Sequence, residues 1–171
     1  MSHKKAIYAG TFDPFTNGHL DVVVRSLRIF DEITIVLAKS PSKLPLFNTK
    51  NRMEMLNLLF QGNERIHLDH WDGLIVDFAK KHQVGTLIRG LRPTGDFEIE
   101  FQMASMNKQL YREIETVFLM TGPNHYFVSS TLVREIYHHK GDISCFVPEA
   151  ILSYLENFKK DNGIKKRRFE K

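Results

Sequence analysis

The chain has 171 residues, of which 42% are hydrophobic and 26% charged, and carries a formal net charge of +4. A chain of this length can bury a substantial core; no apolar run reaches the length of a membrane span, and residues 1–5 lead directly into a strand pattern, so a cytoplasmic protein is expected. Cys145 is the single cysteine, which excludes an internal disulfide or a cysteine cluster for zinc and reads as an inert buried thiol.

Charge is unevenly placed. Residues 159–171 hold seven Lys or Arg against two acids, leaving residues 1–158 near neutral. This predicts one domain over 1–158 and a flexible basic tail over 159–171, and the near-neutral body argues against nucleic acid as a partner.

Ala6-Ile7-Tyr8-Ala9 is a short buried-strand pattern, and Leu20, Val23, Val24, Leu27 and Phe30 recur downstream at helical spacing. Gly10 to His19 is therefore a tight turn running into a helix N-terminus. Thr16 and Asn17 suit the cap, Gly18 permits close approach to the backbone, and the first free N–H groups make a positive helix end. The outline is a phosphate site with His19 in the first helical turn; an ordinary turn with an exposed histidine has the same spacing. Glu32 to Ala38 is a β-branched apolar strand, followed by the polar loop Lys39 to Lys43. Lys43 reads there either as solvated charge or as a functional cation.

Asn48-Thr49 cap a helix whose apolar face is Met53, Leu56, Leu59 and Phe60, with Arg52 and Glu54 outside it. Arg65 to His70 alternates as a strand, its histidines facing solvent, and Trp71 to Ile75 turns into a short helix containing Val76, Phe78 and Ala79. Gly85 to Ile88 is a buried strand that delivers Arg89 and Arg92 across a Gly90-Leu91 turn. Two guanidinium groups at a strand's carboxyl end suit an anionic ligand, and pairing with nearby acids is the plainer alternative. The next helix, roughly Gly95 to Arg112, places Asp96 and Glu100 on one face, with Met103 and Asn107 continuing the stripe.

Glu115 to Met120 is the last strand, and Val128-Ser129-Ser130-Thr131 then opens a helix with hydroxyl and N–H groups suited to a triphosphate. Gly141 reads as that helix's C-terminal stop, and Pro148 starts a final amphipathic helix through Ile151, Leu152, Leu155 and Phe158. Strand and helix alternate five times. The expected fold is α/β, a Rossmann-like open parallel five-stranded sheet with helices on both faces and its ligand crevice at the carboxyl ends of the strands.

Gly10-Thr11-Phe12-Asp13-Pro14 followed by Thr16-x-Gly18-His19 resembles the signature of the nucleotidyltransferase superfamily. Two further blocks, Ile88 to Arg92 with Asp96 to Glu100, and Val128 to Arg134, make the stretch from about Lys4 to Phe158 similar to the phosphopantetheine adenylyltransferases. The resemblance implies transfer of AMP from ATP to 4'-phosphopantetheine, giving dephospho-CoA and pyrophosphate in the penultimate step of CoA biosynthesis. It also implies Mg2+ carried mainly by the triphosphate, a homohexamer, and CoA as a candidate feedback inhibitor.

By the same resemblance, His19, Thr11, Lys43 and Arg92 are catalytic. ATP would meet Thr11, Phe12, His19, Gly90, Leu91, Arg92, Glu100 and the run His125, Tyr126, Phe127, Val128, Ser129, Ser130, Thr131. The acceptor would meet Thr11, Lys43, Leu74, Ile75, Arg89, Met103 and Asn107. Two positions depart from the family pattern: Ile99 stands where a tyrosine is common, leaving an aromatic wall missing or supplied by Phe101, and His125-Tyr126 replace an aromatic and a serine. The competing expectations are a nucleotidyltransferase using another phosphate acceptor, such as nicotinamide mononucleotide or glycerol 3-phosphate, and a binding module that uses the basic tail.

Overall fold

The computed structural model describes residues 3–39, 45–93 and 95–161, with side chains described to Phe158. Five strands, β1 (Lys5–Gly10), β2 (Glu32–Ala38), β3 (Ile66–Trp71), β4 (Thr86–Leu91) and β5 (Glu115–Met120), form one parallel sheet in the order β3-β2-β1-β4-β5. Six helices accompany them: α1 (Asn17–Ser26), α2 (Thr49–Phe60), α3 (Ile75–His82), α4 (Asp96–Leu110), α5 (Ser130–His138) and α6 (Glu149–Asp161). The expected α/β fold with an open parallel sheet is the one observed.

Alternation along β1 divides the core. Ala6 and Tyr8 join the cluster built with Val22 and Val23 of α1, Met55 and Leu56 of α2, Val133 of α5 and Ile151 of α6. Ile7 and Ala9 join the opposite cluster with Val76, Phe78 and Ala79 of α3. A parallel strand covered on both faces must be apolar along its whole length, which is why β1 reads as a continuous run.

Strand order reverses beside β1. The chain builds β2 and β3 to one side and then crosses back to place β4 on the other, so a crevice opens between the carboxyl ends of β1 and β4. The ladder there pairs Ile7 with Leu87 and Tyr8 with Ile88. One residue further on, the carbonyl of Ala9 accepts from the Arg89 guanidinium at 2.8 Å.

Several local expectations change. Gly90 and Leu91 are strand rather than turn, because β4 goes on pairing with Leu119 and Met120 of β5. Helix α1 stops at Ser26, and Phe30 is buried from the loop that follows. Arg52 is 4% exposed, inside rather than outside the apolar face of α2, because its guanidinium finds backbone carbonyl partners there. Cys145 is exposed rather than buried; its segment faces α1 through its backbone, Cys145 O accepting from Asn17 Nδ2 and Phe146 O from Asn17 N. After α5 the left-handed residue is Lys140, with φ 62°, while Gly141 is needed for close approach: a Cβ there would lie 2.7 Å from Ile136 Cγ2.

Candidate active site

The turn between β1 and α1 is built around aromatic packing. Phe12 takes a left-handed backbone, φ 47°, and its ring is buried beside Tyr8 and Phe15 with centroid separations of 5.2 and 5.1 Å. Phe12 therefore has its backbone, not its ring, to offer a nucleotide. The His19 ring packs edge-on against Phe12 at 5.1 Å and lies tilted against Phe15 at 5.2 Å. Burial, reinforced by the positive charges of Arg92 and Arg89, lowers the His19 pKa to about 3, so the ring is neutral near pH 7.

A capping box sets the orientation of this ring. Thr16 N donates to His19 Nδ1 at 3.0 Å, and His19 N donates to Thr16 Oγ1 at 3.4 Å. A nitrogen that accepts carries no proton, so the neutral ring holds its hydrogen on Nε2 and can present it as a donor. The helix end itself is less open than its sequence implied. Asn17 N already donates to Phe146 O, and a Cβ at Gly18 would lie 3.6 Å from the Cβ of His125, so His125 stands over that glycine.

The second helix start is tied to the same turn. Ser129 caps α5 by accepting from Leu132 N at 3.2 Å, and Ser130 Oγ donates to Pro14 O at 2.8 Å. Arg134, one turn on, donates to the carbonyl and Oδ2 of Asp13 at 3.0 and 3.1 Å. Thr131 is exposed and accepts from Arg134 NH2 at 3.2 Å, while Val128 is buried in the core below. Tyr126 and Phe127 are exposed on the connecting segment.

Across the crevice, Arg89 near the end of β4 and Arg92 just past it are both paired with acids. Arg89 Nε and NH2 each donate to Glu100 at 2.6 Å, and Arg92 Nε and NH2 donate to Asp96 at 2.7 and 2.9 Å. Burial works against the Arg89 charge, but Glu100 outweighs it and holds the guanidinium above its ordinary pKa. The hydrogen bond from Arg92 pulls the Asp96 carboxyl below its usual range and raises Arg92 in turn. Gly90 lies between them under Tyr8: a Cβ there would be 3.0 Å from Val22 Cγ2 and 3.7 Å from the Tyr8 hydroxyl.

Beyond Arg89 the crevice deepens into a cavity lined by Ile75, Arg89, Glu100, Met103 and Asn107. Four residues expected at the acceptor thus meet at one place. Leu74 lies outside that lining, 57% exposed, with its carbonyl accepting from Trp71 Nε1 at 3.0 Å. Neither Ile99 nor Phe101 lines it; both are exposed, Phe101 stacked on Phe97 at 5.9 Å. Lys43 lies outside the described residues. A larger open groove, lined by Leu58, Gln61 and His67 among others, lies at the beginning of β3 and contains none of the expected residues.

The cytidylyltransferase-like family matches residues 7–136, the part that holds this crevice. Over 153 residues the chain is 45% identical to the phosphopantetheine adenylyltransferase of Campylobacter curvus (strain 525.92), covering 90% of this chain and 98% of the relative. It is 43% identical over 150 residues to the phosphopantetheine adenylyltransferase of Heliobacterium modesticaldum (strain ATCC 51547 / Ice1), covering 88% and 89%. The chain belongs to the phosphopantetheine adenylyltransferase family.

In this adenylyltransferase, reasoning from the sequence assigned no role to two buried charges, Asp13 within the turn and Arg52 beside it. Asp13 accepts from Leu46 N at 2.8 Å and Phe47 N at 2.9 Å. Arg52 donates to Phe47 O at 2.9 Å and Thr11 O at 2.5 Å. A signal for Arg52 was present: it sits three and four residues before Met55 and Leu56, on the buried stripe of α2.

Proposed function

We propose that the chain transfers AMP from ATP to 4'-phosphopantetheine, giving 3'-dephospho-CoA and pyrophosphate. One observation carries the reading: Arg89 joins the two halves of the crevice, lining the Met103 and Asn107 cavity while donating to Ala9 O beside the Gly10 to His19 turn. A phosphorylated arm lying in that cavity would bring its phosphate towards the turn.

The acceptor phosphate is largely anionic near neutral pH, so its oxygen can attack without a general base or an activated serine or cysteine. A bond forms from that oxygen to the α-phosphorus as the bond to the β-phosphate oxygen breaks, and pyrophosphate leaves with the electron pair. The protein's part is alignment and charge stabilisation. In this reading His19 Nε2–H and Thr11 meet the α-phosphoryl oxygens. Arg89, Arg92 and, by resemblance, Lys43 hold phosphates. Ser129 to Thr131 receive the triphosphate, with His125 to Phe127 beside the adenosine. Mg2+ would accompany ATP and supply positive charge against the triphosphate, with few or no ligands from the protein; Asp96 and Glu100, the carboxylates beside Arg92 and Arg89, are each engaged by an arginine.

Self-association, with a homohexamer as the expected form, belongs to the same proposal. It is supported by α4, which buries no residue and exposes Phe97, Ile99, Phe101, Met106 and Leu110. A cytoplasmic location and inhibition by CoA, which shares the pantetheine arm, complete the reading.

The test is pyrophosphate release from ATP and Mg2+ with 4'-phosphopantetheine, using pantetheine without the phosphate as control. Release with the phosphorylated acceptor alone, together with dephospho-CoA formation, is expected. No release from a folded, ATP-binding protein would overturn the acceptor assignment.

A further inference from the structure

Asp13 and Arg52 are 1% and 4% exposed, and the phosphate-transfer scheme above gives neither of them a task. Burying a charge is costly unless hydrogen bonds satisfy it, so two buried charges beside a catalytic turn require an account. Their partners supply one. Asp13 takes the backbone N–H groups of Leu46 and Phe47 on its two oxygens, and Arg134 of α5 reaches both its carbonyl and Oδ2. Arg52 holds the carbonyls of Thr11 and Phe47 and donates to Thr49 Oγ1 at 3.3 Å. Phe47 is therefore gripped at its N–H by Asp13 and at its carbonyl by Arg52. Between Thr11 and Asp13 lies Phe12, whose left-handed backbone disfavours an L side chain.

We propose that Asp13 and Arg52 form a buried latch that fixes Thr11 and the N-terminal end of α5 at a set separation, and that Arg52 is a positioning residue for adenylyl transfer. The latch spans three segments, the β1–α1 turn, residues 46–47 ahead of α2, and α5, so that Thr11 and the Ser129 to Thr131 helix end are held to one frame. In-line displacement is sensitive to such a frame, because a misplacement of about 1 Å can cost on the order of 100-fold in rate. A single ammonium cannot reproduce the guanidinium fork that reaches Thr11 O, Phe47 O and Thr49 Oγ1 together.

The inference rests on the proposed reaction, so the test has one readout that depends on that reaction and one that does not. Arg52→Lys, Arg52→Gln and Asp13→Asn are compared with wild type by steady-state kinetics per folded site and by amide exchange at Leu46 and Phe47. A positioning role predicts a kcat at least tenfold lower in Arg52→Gln with the ATP KM within threefold, a smaller loss in Arg52→Lys, and faster exchange at Phe47 in Asp13→Asn. Unchanged kcat per folded site in both Arg52→Gln and Asp13→Asn would overturn the positioning role, since a purely structural contribution lowers only the folded fraction. Unchanged exchange at Leu46 and Phe47 in Asp13→Asn would overturn the latch itself, even if the wild type proved inactive towards 4'-phosphopantetheine and the proposed acceptor failed.

Discussion

Thr16 and His19 are joined by a hydrogen bond from the Thr16 backbone amide to His19 Nδ1 at 3.0 Å, which leaves Nε2 to carry the proton of the neutral ring. Because the histidine's pKa is lowered to about 3, first by burial and then by Arg92 and Arg89, the folded state binds the second proton, the one that makes the ring cationic, less readily than the unfolded chain does. Stability from this group is therefore fully present above the unfolded value of about 6.5 and is lost as pH falls from there towards 3. Nitrogen NMR of the folded protein should show the Nε2-protonated tautomer, with no titration of His19 between pH 5 and 8. A midpoint near 6.5 would remove the neutral-donor role.

Replacing that donor should be expensive. Losing a preorganised hydrogen bond to developing charge is worth about 3 to 4 kcal/mol, so His19→Ala should lower kcat by on the order of 100-fold to 1000-fold. An effect within threefold would take His19 out of the chemistry.

Arg89 and Glu100 act as a unit, since the carboxylate takes both the Nε and NH2 donors of the guanidinium at 2.6 Å. Residues in one hydrogen-bonded pair couple by about 0.5–3 kcal/mol. In a double-mutant cycle with Arg89→Ala and Glu100→Ala, the effects on kcat/KM for 4'-phosphopantetheine should be clearly less than additive. Strict additivity would mean that Glu100 acts on the ligands independently of Arg89.

Gly10 leaves room for the ring that supports His19. A Cβ at position 10 would sit 2.9 Å from Cε1 and Cζ of Phe12, and that ring is itself buried against Tyr8, Phe15 and His19. Overpacking of this kind costs about 1–3 kcal/mol, and Gly10→Ala should lower Tm by several degrees and reduce kcat. Wild-type values for both would show that the Phe12 ring can shift without consequence.

Met106 is 61% exposed on a helix that buries no residue. If a second copy covers this face, Met106→Asp should lower the assembled mass measured by light scattering while leaving the far-ultraviolet circular dichroism unchanged. Wild-type mass in the variant would place the interface elsewhere.

The parallel sheet, the succession of strand and helix along the chain and a crevice at the strand ends were legible from the chain itself; the order β3-β2-β1-β4-β5 across the sheet was not. Apolar strands such as Ala6 to Ala9, paired with helical periodicity downstream, admit few other arrangements once right-handed crossovers apply. The Gly10 to His19 turn and the Ser129 to Thr131 helix start were legible in place for the same reason, since one follows a strand and the other opens a helix, where local patterns speak; Arg89 lies inside β4, which runs on to Leu91 and puts only Arg92 past its end. What only the tertiary structure decided is how those charges are partnered. That Arg52 lies inside, that Asp13 collects two backbone amides from residues 46 and 47, and that Phe146 occupies the first N–H of α1 all depend on contacts between segments far apart in the chain. A periodicity reports which face of a helix is apolar. Whether a charge on that face is buried depends on polar partners that other segments bring to it, and these form only when the chain has folded.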